Sequence, residues 1–121
     1  MKYLLDTNIL IAISIGDTDA INFITAQHHA EFFVSVITIT EALWYKNITK
    51  IEEEIIEDFI STCVVIPVDE ALARAAILFR RDHKLKTADS LLAATAISIK
   101  AKLLTRDTAL VSNCKEFAIG I

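Results

Sequence analysis

The chain has 121 residues, 54% of them apolar, with two Gly, one Pro and a formal net charge of −4. That length accommodates one compact domain, residues 1–121, and the apolar content supplies a core while leaving little scope for linkers or disorder. The acidic balance excludes a protein that coats nucleic acid by bulk electrostatics, but not a nuclease, whose clustered carboxylates are offset locally by bound cations.

Residues 1–5 resemble the opening of a signal peptide, but Asp6 and Asn8 break any apolar continuation. No stretch approaches the roughly 18 uninterrupted apolar residues of a membrane span. A soluble, cytoplasmic protein with no membrane attachment is therefore expected. Residues 2–5 read as a strand, followed by helical patterns at 8–14 and 17–27. A second strand at 32–35 leads to helices at 38–46 and 51–62. The latter sets Ile51, Ile55, Ile56, Phe59 and Ile60 on one face behind the acidic Glu52, Glu53 and Glu54. A third strand at 64–67 precedes a helix at 69–81, where Leu72, Ala75, Ala76 and Phe79 fall at i, i+3, i+4 and i+7. The pattern at 87–100 is apolar almost all round, as in a helix buried between neighbours. A strand at 102–105 follows, with a weaker fifth at 117–119. Cys63 opens an apolar run and reads as a small core residue. Neither it nor Cys114, His28, His29 or His83 has metal-ligand spacing, so no zinc site is expected.

Short strands alternating with helices predict an α/β protein, three layers α/β/α around a short, mainly parallel sheet of four to five strands. Right-handed crossovers then gather the carboxyl ends of the strands at one edge, where such folds bind ligands. Asp6, Glu41 and Asp107 closely follow strands and belong at that edge. Asp89 arrives from the other direction. Its helix turns directly into the strand at 102–105, so the two run antiparallel and the helix N-terminus returns to the same edge.

Each acid also has a purely structural reading. Asp6 suits a helix N-cap. Glu41 lies three residues after Thr38, the spacing of a capping box. Asp89 suits the first turn of a helix, where the macrodipole favours negative charge, and Asp107 could cap the segment after it. Asp6 and Asp89 favour function, because Thr or Asn neighbours are already able to cap. Together the four carboxylates are harder to explain structurally. Two of them about 5 Å apart repel by about 3 kcal/mol at an effective dielectric of about 20. Either some are protonated or a cation sits among them. An all-oxygen set suits Mg²⁺ or Mn²⁺, one ion or two, and such ions activate water against a phosphodiester.

Thr7, Asn8, Ser35, Thr38, Ser90 and Thr105 are polar neighbours able to orient those carboxylates, with Asn8 and Thr105 best placed. They are equally able to cap helices. Arg80, Arg81, Lys84 and Lys86 form the densest basic stretch. Arg80 and Arg81 suit a helix C-terminus, whereas Lys86 and Arg106 lean towards substrate phosphate. Trp44 and Tyr45 lie one turn after Glu41; stacking on a base is one role for them, and packing against the core or a partner is the simpler one.

Four segments carry a resemblance that runs through nearly the whole chain: Leu5-Asp6-Thr7-Asn8-Ile9-Leu10-Ile11, Ser35-Val36-Ile37-Thr38-Ile39-Thr40-Glu41, Asp89-Ser90-Leu91-Leu92-Ala93-Ala94 and Leu104-Thr105-Arg106-Asp107. With these the chain resembles PIN domains, specifically the VapC-like toxins of type II toxin–antitoxin pairs. The resemblance implies a metal-dependent endoribonuclease acting on RNA, with Asp6, Glu41, Asp89 and Asp107 as ligands of Mg²⁺ or Mn²⁺. It also implies a homodimer and a cognate VapB-like antitoxin that blocks the active-site groove. Many relatives carry Gly shortly after the middle Glu and before the third acid, neighbourhoods that here hold Lys46 and Lys84. Two other classes remain in view. One is a non-catalytic PIN-like module that binds RNA or protein. The other is a small phosphatase, disfavoured because its chemistry needs an Asp where the chain has Asn8.

Overall fold

The computed structural model describes all of residues 1–121. In chain order it contains β1 (Lys2–Leu5), α1 (Thr7–Ser14), α2 (Thr18–Ala26), β2 (Glu31–Ser35), α3 (Val36–Leu43) and α4 (Lys50–Ile60). There follow β3 (Val64–Ile66), α5 (Glu70–His83), α6 (Thr87–Ser98), β4 (Lys102–Thr105), α7 (Thr108–Asn113) and β5 (Ala118–Gly120). The strands form one sheet in the order β3-β2-β1-β4-β5, and every neighbouring pair is parallel. The chain works outward from β1 to β3, then returns past β1 to β4 and β5. Strand order therefore reverses beside β1, and the crevice at such a switch point is where open parallel sheets bind ligands.

Strands buried on both faces read as continuous apolar runs, and the side-chain alternation sorts each run between two cores. Leu4, Phe33, Leu103 and Ala118 pack with Leu92, Ala93 and Ala96 of α6 and Leu110 of α7. Tyr3, Leu5, Val34 and Leu104 face the other way, against Ile9 and Leu10 of α1, Ala42 of α3 and Ile56 of α4. Helix α6 is buried along most of its length because α5 covers its outer side, through Leu72, Ala76 and Phe79 meeting Leu91 and Ala94. This is the three-layer α/β/α arrangement the alternating pattern predicts.

Boundaries differ where local chemistry overrides periodicity. Helix α3 begins two residues earlier than expected, because the Ser35 hydroxyl accepts from the Ile37 N–H at 3.1 Å and caps it. It also ends earlier, at Leu43. Helix α4 carries a capping box of its own, Thr49 with Glu52. Its expected apolar face is only partly covered: Ile56 is buried, while Ile51 is 70% exposed. Helix α7 was not anticipated as an element; at six residues it is too short to show periodicity.

Because Leu103 lies in the centre of one core and Ile51 on the surface, their truncations should differ sharply. Leu103→Ala is expected to cost about 3 kcal/mol, within the range for buried Leu truncations, and Ile51→Ala less than about 0.5 kcal/mol. Urea denaturation of both variants checks this; comparable losses would mean that the core is misassigned.

Candidate active site

Asp6 is the first residue beyond central strand β1, and its backbone N–H donates to the Leu104 carbonyl at 3.0 Å. That bond continues the β1–β4 ladder and leaves the side chain at the switch point, 8% exposed. A carboxylate there needs donors, and three residues supply them. The Thr7 backbone N–H reaches Asp6 Oδ1 at 2.8 Å, the Thr105 hydroxyl reaches Oδ2 at 2.7 Å, and Asn8 Nδ2 lies 3.3 Å from Oδ2. Thr105, at the end of β4, is fully buried. Its single hydroxyl hydrogen goes to Asp6, and its oxygen accepts from Asn8 Nδ2 at 3.2 Å and from the Asp107 N–H at 3.0 Å. That saturates a threonine hydroxyl. Asn8 is similarly occupied, because its Oδ1 accepts from the Arg106 N–H at 3.0 Å.

The other acids surround this knot. Glu41 is not in a capping box with Thr38, since α3 starts before it; its Oε1 instead accepts from the Thr7 hydroxyl at 2.8 Å. Asp107 does cap α7, with Oδ1 accepting from the Leu110 N–H at 3.1 Å, so one oxygen has a structural task and the other is open. Asp89 lies in the first turn of α6 and caps nothing.

Their electrostatics show that the four share one field. The Asp6 carboxyl is pushed above its ordinary value, chiefly by burial, against the Thr105 and Thr7 hydrogen bonds, with Glu41 and Asp107 adding repulsion. Asp89 is also pushed up, first by burial and then by Asp6, Asp107 and Glu41 in turn, while Lys86 pulls it down. Glu41 and Asp107 thus bear on both Asp6 and Asp89, yet no three acidic, His or Cys side chains close to a common ligating distance. Uncompensated carboxylates on a shared rim repel, which favours this open spacing. The donor chemistry fits a hard divalent cation: carboxylate oxygens, with hydroxyl and amide groups holding them and no thiolate or imidazole among them.

Among the remaining candidates, Lys86 is the exposed N-cap position of α6 beside Asp89. Arg106, read from the sequence as leaning towards substrate phosphate, is engaged within the fold. Its guanidinium forks onto Asp17, Nη1 to Oδ2 at 2.8 Å and Nη2 to Oδ1 at 2.5 Å. Asp17 is the residue that sequence reasoning missed: it opens the helical pattern at 17–27, where the structure makes it the N-cap of α2, and nothing local points to Arg106. A turn aims it. Gly16 adopts φ 79°, the Gly16 N–H bonds the Ile13 carbonyl and the Asp17 N–H bonds the Ala12 carbonyl, the pairing of a Schellman ending on α1. The bidentate pair then ties this turn to the β4–α7 corner, the segment that carries Asp107 and receives Asn8.

These features define a class: an open parallel α/β domain with a carboxylate cluster at its switch point. The PIN domain family model matches residues 3–116, and the chain belongs to that family. Among solved structures, a toxin–antitoxin complex from Klebsiella pneumoniae is similar, 26% identical with a TM-score of 0.84, covering 97% of this chain and 95% of that one. VapBC2 from Rickettsia felis, bound to a DNA fragment from its promoter, is 19% identical with a TM-score of 0.79, covering 100% and 99%. VapBC-1 from nontypeable Haemophilus influenzae is 20% identical with a TM-score of 0.74, covering 98% and 96%. No curated protein sequence matches the chain.

The Arg106–Asp17 pair has a signature in acid. Hydrogen bonding from Arg106, before all else, holds the Asp17 carboxyl at about 2 rather than 3.8. A carboxyl depressed in the folded state stabilises above its ordinary value, and that stabilisation is lost as pH falls through the folded value. Asp17→Asn should therefore flatten the fall in Tm between about pH 4 and about pH 2, the window set by those two values. A variant whose Tm falls there as steeply as wild type would show that the pair contributes nothing.

Proposed function

We propose that this chain is a metal-dependent endoribonuclease, the VapC-like toxin of a toxin–antitoxin pair, working in the cytoplasm as a homodimer and restrained by a VapB-like antitoxin. The observation that carries the reading is the set of four carboxylates around the end of β1, with Asp6 and Asp89 pushed up in pKa first by burial and then by neighbours within the set. Asp6, Glu41, Asp89 and Asp107 would hold Mg²⁺ or Mn²⁺, one ion or two. When bound, the metal supplies an activated water and charge stabilisation at a phosphodiester.

The chain's own residues do the positioning. Thr105 and Asn8 hold Asp6 in one orientation, and Thr7 restrains Glu41. Asp107 keeps one oxygen in the α7 cap, which fixes the direction of the other. Lys86 brings a cation to the side of Asp89, where a polyanion must approach an acidic rim.

The partner reading rests on the toxin–antitoxin complexes that the fold resembles. Surface chemistry supports it as well. Trp44 is 83% exposed, and Tyr45, Ile51 and Ile55 are exposed around the α3–α4 connection, as are Ile77 and Leu78 on α5. Apolar side chains in such number on a domain this small suit covered interfaces. The open spacing of the acids is what a non-catalytic PIN-like binding module would also have, and one assay separates the two.

That assay combines RNA cleavage by antitoxin-free protein, in Mg²⁺, Mn²⁺ or EDTA, with thermal melting. Wild type should cut RNA only with metal, and Mn²⁺ should raise its Tm, since a ligand of the native state alone stabilises it. Asp89→Asn removes one of the repelling, partly desolvated charges. It should melt higher than wild type in EDTA, lose most of the Mn²⁺-induced rise and lose cleavage by at least about 100-fold, the usual scale for removing charge that stabilises a transition state. Cleavage that survives in EDTA, or an Asp89→Asn chain that cuts normally, would defeat the proposal.

A further inference from the structure

Beside the carboxylates lies a concavity of about 280 Å³ between the α5–α6 connection and α7, lined by Lys84, Leu85, Lys86, Asp89, Asp107 and Asn113 among others. Two of the acids and two lysines line it together. Neither lysine is in an ion pair: the three in the molecule are Arg74–Glu70, His83–Glu116 and Arg106–Asp17. Of the other cations nearby, Arg106 is occupied by Asp17 and Arg80 through its Nε by the Leu85 carbonyl. Lys2 and Lys102 point to backbone carbonyls of Ile99 and Glu116, at the amino ends of β1 and β4. Lys84 and Lys86 are thus the cations in the lining of this concavity, and neither is held by an ion pair.

Their backbone setting is unusual. Lys84 ends α5 at φ 54° and ψ 37°, the left-handed conformation in which glycine is the favoured residue. Lys100 adopts the same conformation at φ 57°, and at either position glycine would remove the side chain without straining the backbone. Lys86 opens α6 without any side-chain cap on the first-turn N–H groups, which leaves the positive end of that helix open next to it. The far wall is rigid. Asn113 Nδ2 donates to the His83 carbonyl at 2.7 Å and its Oδ1 lies 3.4 Å from His83 Nδ1, pinning α7 to the end of α5. A hollow lined both by these lysines and by two of the candidate metal-binding carboxylates suits a phosphate next to a reacting one.

We propose that Lys84 and Lys86 form a subsite for the RNA backbone phosphate adjacent to the scissile phosphate, so that the strand crosses the rim from the carboxylates over the α5–α6 connection. The subsite rests on the endoribonuclease reading, and sets the direction in which the substrate lies. It acts through charge, so it contributes to binding across sequences and does not select bases.

The test measures binding and cutting separately. A labelled short oligoribonucleotide is titrated by fluorescence anisotropy with Ca²⁺ in place of Mg²⁺, and cut with Mg²⁺ or Mn²⁺. The chains compared are wild type, K84G/K86Q and K84R/K86R. A second oligonucleotide carries a neutral methylphosphonate at the flanking position. K84G relieves the left-handed backbone, so the variant should melt no lower than wild type and any loss is a loss of contact. K84G/K86Q is expected to bind at least about tenfold more weakly, with the slope of log K against log salt reduced by about one per lysine. It should raise KM with kcat within about twofold, the pattern of lost uniform binding. K84R/K86R should retain affinity, and the methylphosphonate should abolish the difference between wild type and K84G/K86Q. Unchanged affinity in K84G/K86Q, or an equal loss on both oligonucleotides, overturns the subsite while cutting by wild type leaves the nuclease standing. Lysine-dependent binding by a wild type that cuts nothing overturns the nuclease and keeps the subsite. A wild type that neither binds nor cuts overturns both.

Discussion

A buried carboxylate at the end of the central strand organises this molecule. Asp6 is nearly inaccessible, and placing a charged group there is unfavourable unless every lone pair that loses water gains a donor. The Thr105 hydroxyl is the keystone, because it gives its only hydrogen to Asp6 and takes in return the side-chain amide of Asn8 and the backbone of Asp107. One hydroxyl thereby couples β1 to β4 across 99 residues of sequence and sets where the fourth acid stands. The site and the fold are joined at that point.

Around this knot the domain accumulates like charge where a globular protein would ordinarily avoid it. Natural domains retain such arrangements where activity needs them, at a cost in stability that the rest of the structure makes up. Here the offsetting terms are the two apolar cores on either side of the sheet. Both lie on elements that end at the rim: α6 buries six residues behind Asp89, and α1 buries Ile9 and Leu10 behind Asp6. Rigid helices, not loops, therefore carry Asp6, Glu41 and Asp89 or begin next to them, which limits how far repulsion can splay the carboxylates. The Arg106–Asp17 fork does the same for the corner bearing Asp107.

Charge also bears on the proposed RNA substrate. A net charge of −4 with an acidic rim would repel a polyanion at long range. Attraction would then have to come from cations close to the site, where Lys84 and Lys86 stand. Exposed apolar residues occur elsewhere, around the α3–α4 connection and on α5. The charged face and the apolar faces therefore ask for different partners.

The sequence by itself determined every element type but α7, the parallel α/β class and the edge at which Asp6, Glu41, Asp89 and Asp107 gather. Alternation of short apolar runs with helical periods leaves few topologies, and the direct turn from the Asp89 helix into the next strand brings that acid back to the edge. Asn8 and Thr105 were also visible as polar residues beside acids. Tertiary structure decided what each polar atom does. Glu41 left its apparent capping box because Ser35, not Thr38, caps α3, whereas Asp107 does cap α7 while still facing the site. Arg106 proved to be the partner of Asp17, a pairing 89 residues apart that local spacing cannot encode. Short-range sequence records propensity and direction; which donor meets which acceptor depends on distances that exist only once the sheet has closed around β1.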